Sequence, residues 1–228
     1  MDEENSDMIT EIDRKKYEPF IKDLIHEMLD IQNPDIEKEI LSAGRFVSVS
    51  RGEVIIRQGE VSSELMILLS GSVRGFLNVS GGREITDCFA YCQGDAVTGC
   101  GMPGEPSLIT LQTLSDCEMF GVPVGTLSNA AKKRPELYQV TLRLFVSAFK
   151  RHWEHKILLN HSSASQRFAW LEERYPGLID RVPNVYIASF LGMSPVTLSR
   201  IKTKTRNEAE SLTRDGEAAV PPANNTPG

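Results

Sequence analysis

Residues 136–159, directly after Pro135, contain neither glycine nor proline, and their apolar side chains return every three or four positions. Such a stretch predicts one helix of nearly seven turns, about 36 Å long at 1.5 Å per residue. Its apolar residues fall on two neighbouring stripes, Leu137, Val140, Leu144 and Ala148 on one and Tyr138, Leu142, Phe145, Phe149 and Trp153 on the other. One stripe is enough to pack on a single body. The second calls for another partner, and the economical choice is the same helix of a second copy beside a two-fold axis. Burial of both stripes inside one subunit is the alternative. The expected dimer contact centres on Leu137, Val140, Leu144, Phe145, Ala148 and Phe149.

Ahead of this helix the rhythm is different. Tyr17, Phe20, Ile21, Leu24, Ile25, Met28 and Leu29 recur at helical spacing until Asn33-Pro34 breaks the pattern. A second short helix is expected over residues 34–43, closed by Gly44 in the left-handed conformation. From residue 45 to about 124 the chain changes to short apolar runs, such as Val54-Ile55-Ile56 and residues 65–69. Turn signals at Arg51-Gly52, Gln58-Gly59, Ser70-Gly71, Gly81-Gly82 and Gly94-Asp95 separate them. That punctuation indicates an antiparallel sandwich or roll, the natural place for a sensor. Helical period resumes near Thr126.

Composition sets limits on what these segments can do. A chain of 228 residues can hold one medium and one small core. With 40% hydrophobic and 25% charged residues it reads as folded and soluble. No apolar run approaches the length needed to cross a bilayer, and the start Met1-Asp2-Glu3-Glu4 is acidic where a secretory signal would be basic, so no membrane partner and a cytoplasmic location are expected. A net charge of -6 argues against non-specific wrapping of nucleic acid, so any DNA contact must be local.

Cys88, Cys92, Cys100 and Cys117 are separated by three, seven and sixteen residues, which matches no common zinc or iron–sulfur spacing. Cys88 and Cys92 are expected as buried thiols sharing a strand face, and Cys100, between two glycines, as the exposed and reactive one. His152, His155 and His161 read as a solvated polar face rather than a metal site, and no metal or other cofactor is expected. The chain also lacks a nucleophile elbow, a phosphate loop and a paired-acid motif, which argues against an enzyme.

Residues 160–165 are polar and read as a hinge whose serines can cap a following helix at residues 166–174. The most specific signal comes after it. A short helix carrying Ile187, Ala188 and Leu191 ends at Gly192, where a sharp bend needs a residue without a Cβ penalty. Ser194 then serves as N-cap and Pro195 takes the first helical position, where its missing N–H costs nothing. In the second helix Leu198 and Ile201 point inward, and Val196, Thr197, Arg200 and Lys204 lie on the outward side. Arg200 suits a guanine edge or a phosphate, Thr197 a base edge or a thymine methyl, and Ser194 with the helix N-terminus a phosphate. The DNA-contacting set is therefore Ser194, Val196, Thr197, Ser199, Arg200, Lys202 and Lys204. An ordinary helical hairpin is the alternative.

With both ends read, the segment from Ala43 to Arg206 resembles the Crp/Fnr superfamily of bacterial regulators. The resemblance rests on residues 52–60, on residues 65–69 followed by Ser70-Gly71-Ser72-Val73, on Gly94-Asp95, and on residues 181–188 leading into Thr197-Leu198-Ser199-Arg200-Ile201. It covers over two-thirds of the chain and implies a cyclic-nucleotide-binding-type β-roll, a dimerising helix and a helix-turn-helix. Two departures stand out. Nucleotide-binding members place an Arg-Ser or Arg-Thr pair on the phosphate, and residues 96–109 here contain no arginine. A buried phosphate without a cationic fork would forgo its strongest contacts, so cyclic AMP is not expected to bind in the usual way. Pro195-Val196 also stands where well-known members carry Arg-Glu, so their operator does not transfer.

The resulting expectation is an α+β chain with N-terminal helices (1–43), a double-stranded, cupin-like jelly-roll β-roll (44–124), a dimerisation helix region (125–160), a helix-turn-helix domain (161–206) and a disordered tail (207–228). Its recognition helix spans residues 195–204. An unidentified effector would sit near Leu69, Gly94, Asp95, Thr98, Gly99 and Cys100. The expected partners are double-stranded DNA, a second copy and RNA polymerase. The alternative is a small-molecule or redox signalling module acting through protein contacts, its helix-turn-helix vestigial.

Overall fold

A computed structural model of one chain describes residues 9–27, 33–99, 104–134 and 136–218. A short strand β1 (Ile9–Glu11) and helices α1 (Arg14–Glu27) and α2 (Pro34–Ala43) come first. Eight strands follow: β2 (Arg45–Val49), β3 (Val54–Ile56), β4 (Glu64–Ser70), β5 (Val73–Val79), β6 (Arg83–Ala90), β7 (Ala96–Val97), β8 (Thr110–Thr113) and β9 (Cys117–Pro123). The rest is helical: α3 (Val124–Lys133), α4 (Glu136–His161), α5 (Ala164–Arg174), α6 (Leu178–Arg181), α7 (Asn184–Phe190) and α8 (Pro195–Ala218).

The strands form two antiparallel sheets, ordered β1-β2-β9-β4-β7 and β3-β8-β5-β6. Alternation along each strand decides what lies between them. Val47, Met66, Leu68 and Met119 from the first sheet meet Val73, Ile109 and Leu111 from the second, forming the interior of the roll. The alternate residues Phe46, Ile67, Leu69, Phe120 and Val122 face outward, where α1 and α2 cover them with Tyr17, Ile21, Ile25, Ile36 and Ile40. The first sheet is thus buried on both faces, which is why residues 65–69 read as a continuous apolar run. Helix α1 is pinned there by Glu118, which takes Lys16 at 2.9 Å, the Ser70 hydroxyl at 3.0 Å and the Tyr17 hydroxyl. The Tyr17 hydrogen bond, aided by Lys16 and Ser70, holds the Glu118 carboxyl below its ordinary range.

Several expectations need correction. Gly44 is extended (φ -81°, ψ 154°), not left-handed. It is a glycine because a Cβ there would lie 2.1 Å from the Phe120 ring. Strand β1 was not foreseen and adds an edge to the first sheet beside β2. The expected six-residue hinge shrinks to Ser162-Ser163, since α4 runs on to His161 and α5 starts at Ala164 with Ser163 and Gln166 forming a capping box. Helix α8 continues to Ala218, so the first part of the tail expected to be disordered is helical. Cys92 lies beyond the end of β6 and is exposed, while Cys88 is half-buried and Cys117 buried. Burial pushes the Cys117 thiol up, which makes it inert. Cys100 lies outside the described residues.

Helix α4 is poorly covered. Among its described side chains only Leu158 is buried, whereas Phe145 and Phe149 are 60% and 58% exposed and Trp153 stacks on Phe149 in the open. Its ends are anchored. Leu137 packs against the core beneath α1 and α2, and His155 stacks with Trp170 of α5 and Phe190 of α7 at centroid distances of 5.8 and 4.1 Å. His155 is therefore not the solvated residue expected. The pressure to bury an apolar face placed it in the aromatic stack. No helix among the described residues is long and apolar enough to cross a membrane.

Candidate nucleic-acid interface

Helices α7 and α8 are joined by a turn built to fix their angle. Ile187, Ala188, Leu191 and Leu198 are fully buried where the two helices meet. The absence of bulk at Ala188 permits the approach, and the Met193 N–H donates to the Ala188 carbonyl at 2.9 Å. Gly192 sits at φ +60°, a conformation that costs other residues. A Cβ at Gly192 would also lie 3.0 Å from Arg167 Nη1 and 3.2 Å from Leu159 Cδ2. Arg167 of α5 donates to the carbonyls of Leu191 (2.6 Å) and Gly192 (3.1 Å), satisfying acceptors that the end of α7 leaves open.

Helix α8 starts as its local chemistry requires. Pro195 occupies the first position, and the Ser194 hydroxyl accepts the Thr197 N–H at 3.1 Å while lying 2.9 Å from Thr197 Oγ1. Leu198 closes the inner side and Ile201 packs partly against the same core. On the other side Val196 (60% exposed), Ser199, Arg200 and Lys204 face outward, with Thr197 half-buried beside them. Arg200 makes no hydrogen bond or ion pair among the described residues. Lys202 is different from its neighbours. Its ammonium donates to Asn184 Oδ1 at 3.1 Å, so it ties α8 to the start of α7 instead of standing free.

Of the six residues expected around an effector, the five that are described do not line one site, and Cys100 lies outside the described residues. Leu69 lies in the core under the N-terminal helices, on the far side of the first sheet from the roll's interior. Gly94, at φ +94°, packs beneath Phe20 and Leu24 of α1. The Asp95 carboxylate accepts the N–H groups of Tyr91 and Cys92, each at 2.8 Å. Thr98 is exposed, and Gly99 is pressed against Ser107, whose hydroxyl donates to the Ile109 carbonyl at 2.6 Å. Of the dimer set, Leu144, Phe145 and Phe149 are exposed and Ala148 is half-buried. Leu137 is engaged within its own subunit, and the Val140 side chain lies outside the described residues.

Two residues that hold the α7–α8 pair were missed by the sequence reading. Arg167 caps the turn from a different helix, and His155 places Nε2 3.0 Å from the Phe190 carbonyl oxygen. The polar Arg167 on the otherwise apolar side of α5, beside Phe168 and Leu171, was the one local hint. Among the described residues no group of three or more His, Cys, Asp and Glu side chains is placed to hold a metal ion.

Comparison with known proteins agrees with this architecture. Residues 46–134 match the family model of the cyclic nucleotide-binding domain. The chain is 26% identical over 187 residues to the transcriptional activator protein FnrA of Stutzerimonas stutzeri, covering 77% of this chain and 75% of that protein. It is 26% identical over 200 residues to the nitrogen fixation regulation protein FixK of Bradyrhizobium diazoefficiens, covering 82% of each. The solved structure of FixK2 from Bradyrhizobium japonicum shares the fold with a TM-score of 0.66 at 18% identity, over 73% of this chain and 86% of that one. These relatives are named as regulators, not as enzymes. A nucleotide-binding-type roll followed by a helical spine and a capped helix pair, matched along most of its length by FnrA and FixK, supports the likeness of this chain to the Crp/Fnr superfamily of transcription regulators.

Proposed function

We propose that the chain works as a homodimer that binds an inverted-repeat operator in double-stranded DNA through α7 and α8, arranged as a helix-turn-helix. One observation carries this reading: a helix whose inner face is closed by Leu198 presents Val196, Thr197 and Arg200, the last with no partner among the described residues, outward beside a capped N-terminus. Arg200 supplies a bidentate donor to a guanine edge, Thr197 and Val196 supply apolar and hydroxyl contacts, and the first turn of α8 receives a phosphate. The exposed Phe145, Phe149 and Trp153 of α4 support association of two copies along that helix. Two readers held this way would meet half-sites about 34–36 Å apart. RNA polymerase is a further partner in this reading, and the cytoplasm its setting.

The roll does not fit a cyclic nucleotide bound in the usual way. Residues 96–109 hold no arginine, and the Ser107 hydroxyl is buried and already bonded within the chain. We assign the roll an effector of another kind. Genome-wide binding followed by footprinting should return a palindrome, with affinity falling steeply as salt rises. Binding without sequence preference at every salt concentration, or Arg200→Ala leaving DNA affinity unchanged in an intact dimer, would instead support a signalling module that acts through protein contacts.

A further inference from the structure

The outer face of the second sheet is not the polar surface that water would favour. Along β5, Val73 and Gly75 face the roll's interior, whereas Arg74 and Phe76 face out and are still only 3% and 5% exposed. Tyr186 of helix α7 covers Arg74, and Arg74 in turn lies over Phe76. The Arg74 guanidinium carbon lies 4.1 Å from the centroid of the Phe76 ring and 3.8 Å from that of Tyr186, so a permanently charged plane is layered between the roll and the helical domain. Its N–H groups donate to Gln112 Oε1 at 3.1 and 2.8 Å and to Glu84 Oε2 at 2.6 Å, which satisfies a charge that burial would otherwise penalise.

The surrounding contacts have the same character. Strand β6 is the end of its sheet, and its Thr86 N–H, which no further strand can accept, donates to the Ser189 hydroxyl at 3.0 Å. Phe89 meets Phe190 edge-on at 5.3 Å, and Tyr91 lies within the core of the helical domain. An apolar residue at position 74 would let the two bodies pack in several orientations. A guanidinium that is both stacked and hydrogen-bonded admits one.

We infer that Arg74 is a positioning residue for the DNA reader: held by Glu84 and Gln112 and stacked on Tyr186, it sets the angle at which α7, and therefore α8, leaves the roll. The role rests on the DNA-binding reading above. Helix α8 follows α7 rigidly because Arg167 and the Lys202–Asn184 bond fix the turn between them. In a two-fold assembly an angular change in the reader occurs twice, so it alters the distance between half-sites and leaves the half-site word as it was.

The test uses the full chain and a duplex library with randomised half-sites and variable central spacers. Wild type should select one word at one spacing. Arg74→Met should select the same word at several spacings and bind the best wild-type duplex about tenfold more weakly. Tyr186→Phe keeps the ring and should match wild type. Tyr186→Leu should behave as Arg74→Met and serves if that variant does not fold. Without DNA, hydrogen exchange at the Thr86 amide should accelerate at least about tenfold in Arg74→Met while β4 and β9 stay protected. A selected word with identical spacing in wild type and Arg74→Met overturns the positioning role alone. A wild-type chain that selects no word overturns the DNA-binding reading as well.

Discussion

The Gly94-Asp95 turn of the roll and the Gly192-Met193-Ser194 turn of the helical domain are both tight bends opened by a left-handed glycine. In the first, the Asp95 carboxylate and the backbone groups around it bond within the chain. Asp95 binds two N–H groups with its carboxylate and the Leu68 N–H with its carbonyl, and the Gly94 N–H returns a bond to Leu68. In the second, Arg167 Nη1 and the Ser194 hydroxyl close the turn, but the helix that follows turns a cation and a valine outward with no partner among the described residues. A motif whose donors and acceptors all close within the chain holds a shape. A motif that completes its scaffold and still leaves donors over is addressed to another molecule.

That contrast can be broken at several points. The largest effect belongs to the scaffold of the α7–α8 pair: Leu198→Ala should cost about 2–5 kcal/mol of stability in denaturant unfolding, because it opens a cavity at a fully buried site. A negligible loss would mean that the inner face is not what holds α8. Next, Asp95→Ala should remove about 1.5–3 kcal/mol from stability by taking a charged acceptor from the N–H groups of Tyr91 and Cys92, with the selected DNA word unchanged. Arg200→Ala should do the converse. DNA affinity should drop by about 1–3 kcal/mol in a mobility-shift titration, and the unfolding midpoint should stay where it was.

The smallest effect is a pH slope at the anchor of α4. Burial lowers the pKa of His155, the Phe190 carbonyl and Asp87 partly restore it, and His152 adds to the lowering. The unfolded chain then binds the proton more readily than the folded one. The His155 contribution is complete above the ordinary imidazole value near 6.5, shrinks as pH falls below that value, and levels off beneath the folded pKa. His155→Gln, which keeps an N–H donor for Phe190, should flatten that part of a stability profile measured by denaturant titration. A slope identical to wild type would assign it to other groups.

What could be read in the sequence was local. Ser194, Pro195 and Leu198 each act within a turn of their neighbours, and α4 announces itself by composition alone. What could not be read joins distant segments. Thr86 and Ser189 are 103 residues apart, and nothing near Arg74 states that a tyrosine will cover it. The run Phe89-Ala90-Tyr91 did carry a signal, since a strand with one face in water should alternate there and this one does not. Leu69 was misplaced for a related reason: a strand buried on both faces gives no clue to which face a given residue takes. Gly44 showed that a glycine after a helix can answer to a neighbour's ring instead of to its own backbone angle.

The chain has two tryptophans, and the fold has put them at different joints. Trp153 stands in water on the apolar side of α4, while Trp170 lies in the stack that ties α4 and α5 to α7. With one replaced by phenylalanine, the emission of the other becomes a private optical gauge. A blue shift from Trp153 would record two copies coming together, and quenching of Trp170 by a charged imidazole beside it would record the loosening of the reader's mount. The molecule thus carries its own means of timing one event against the other.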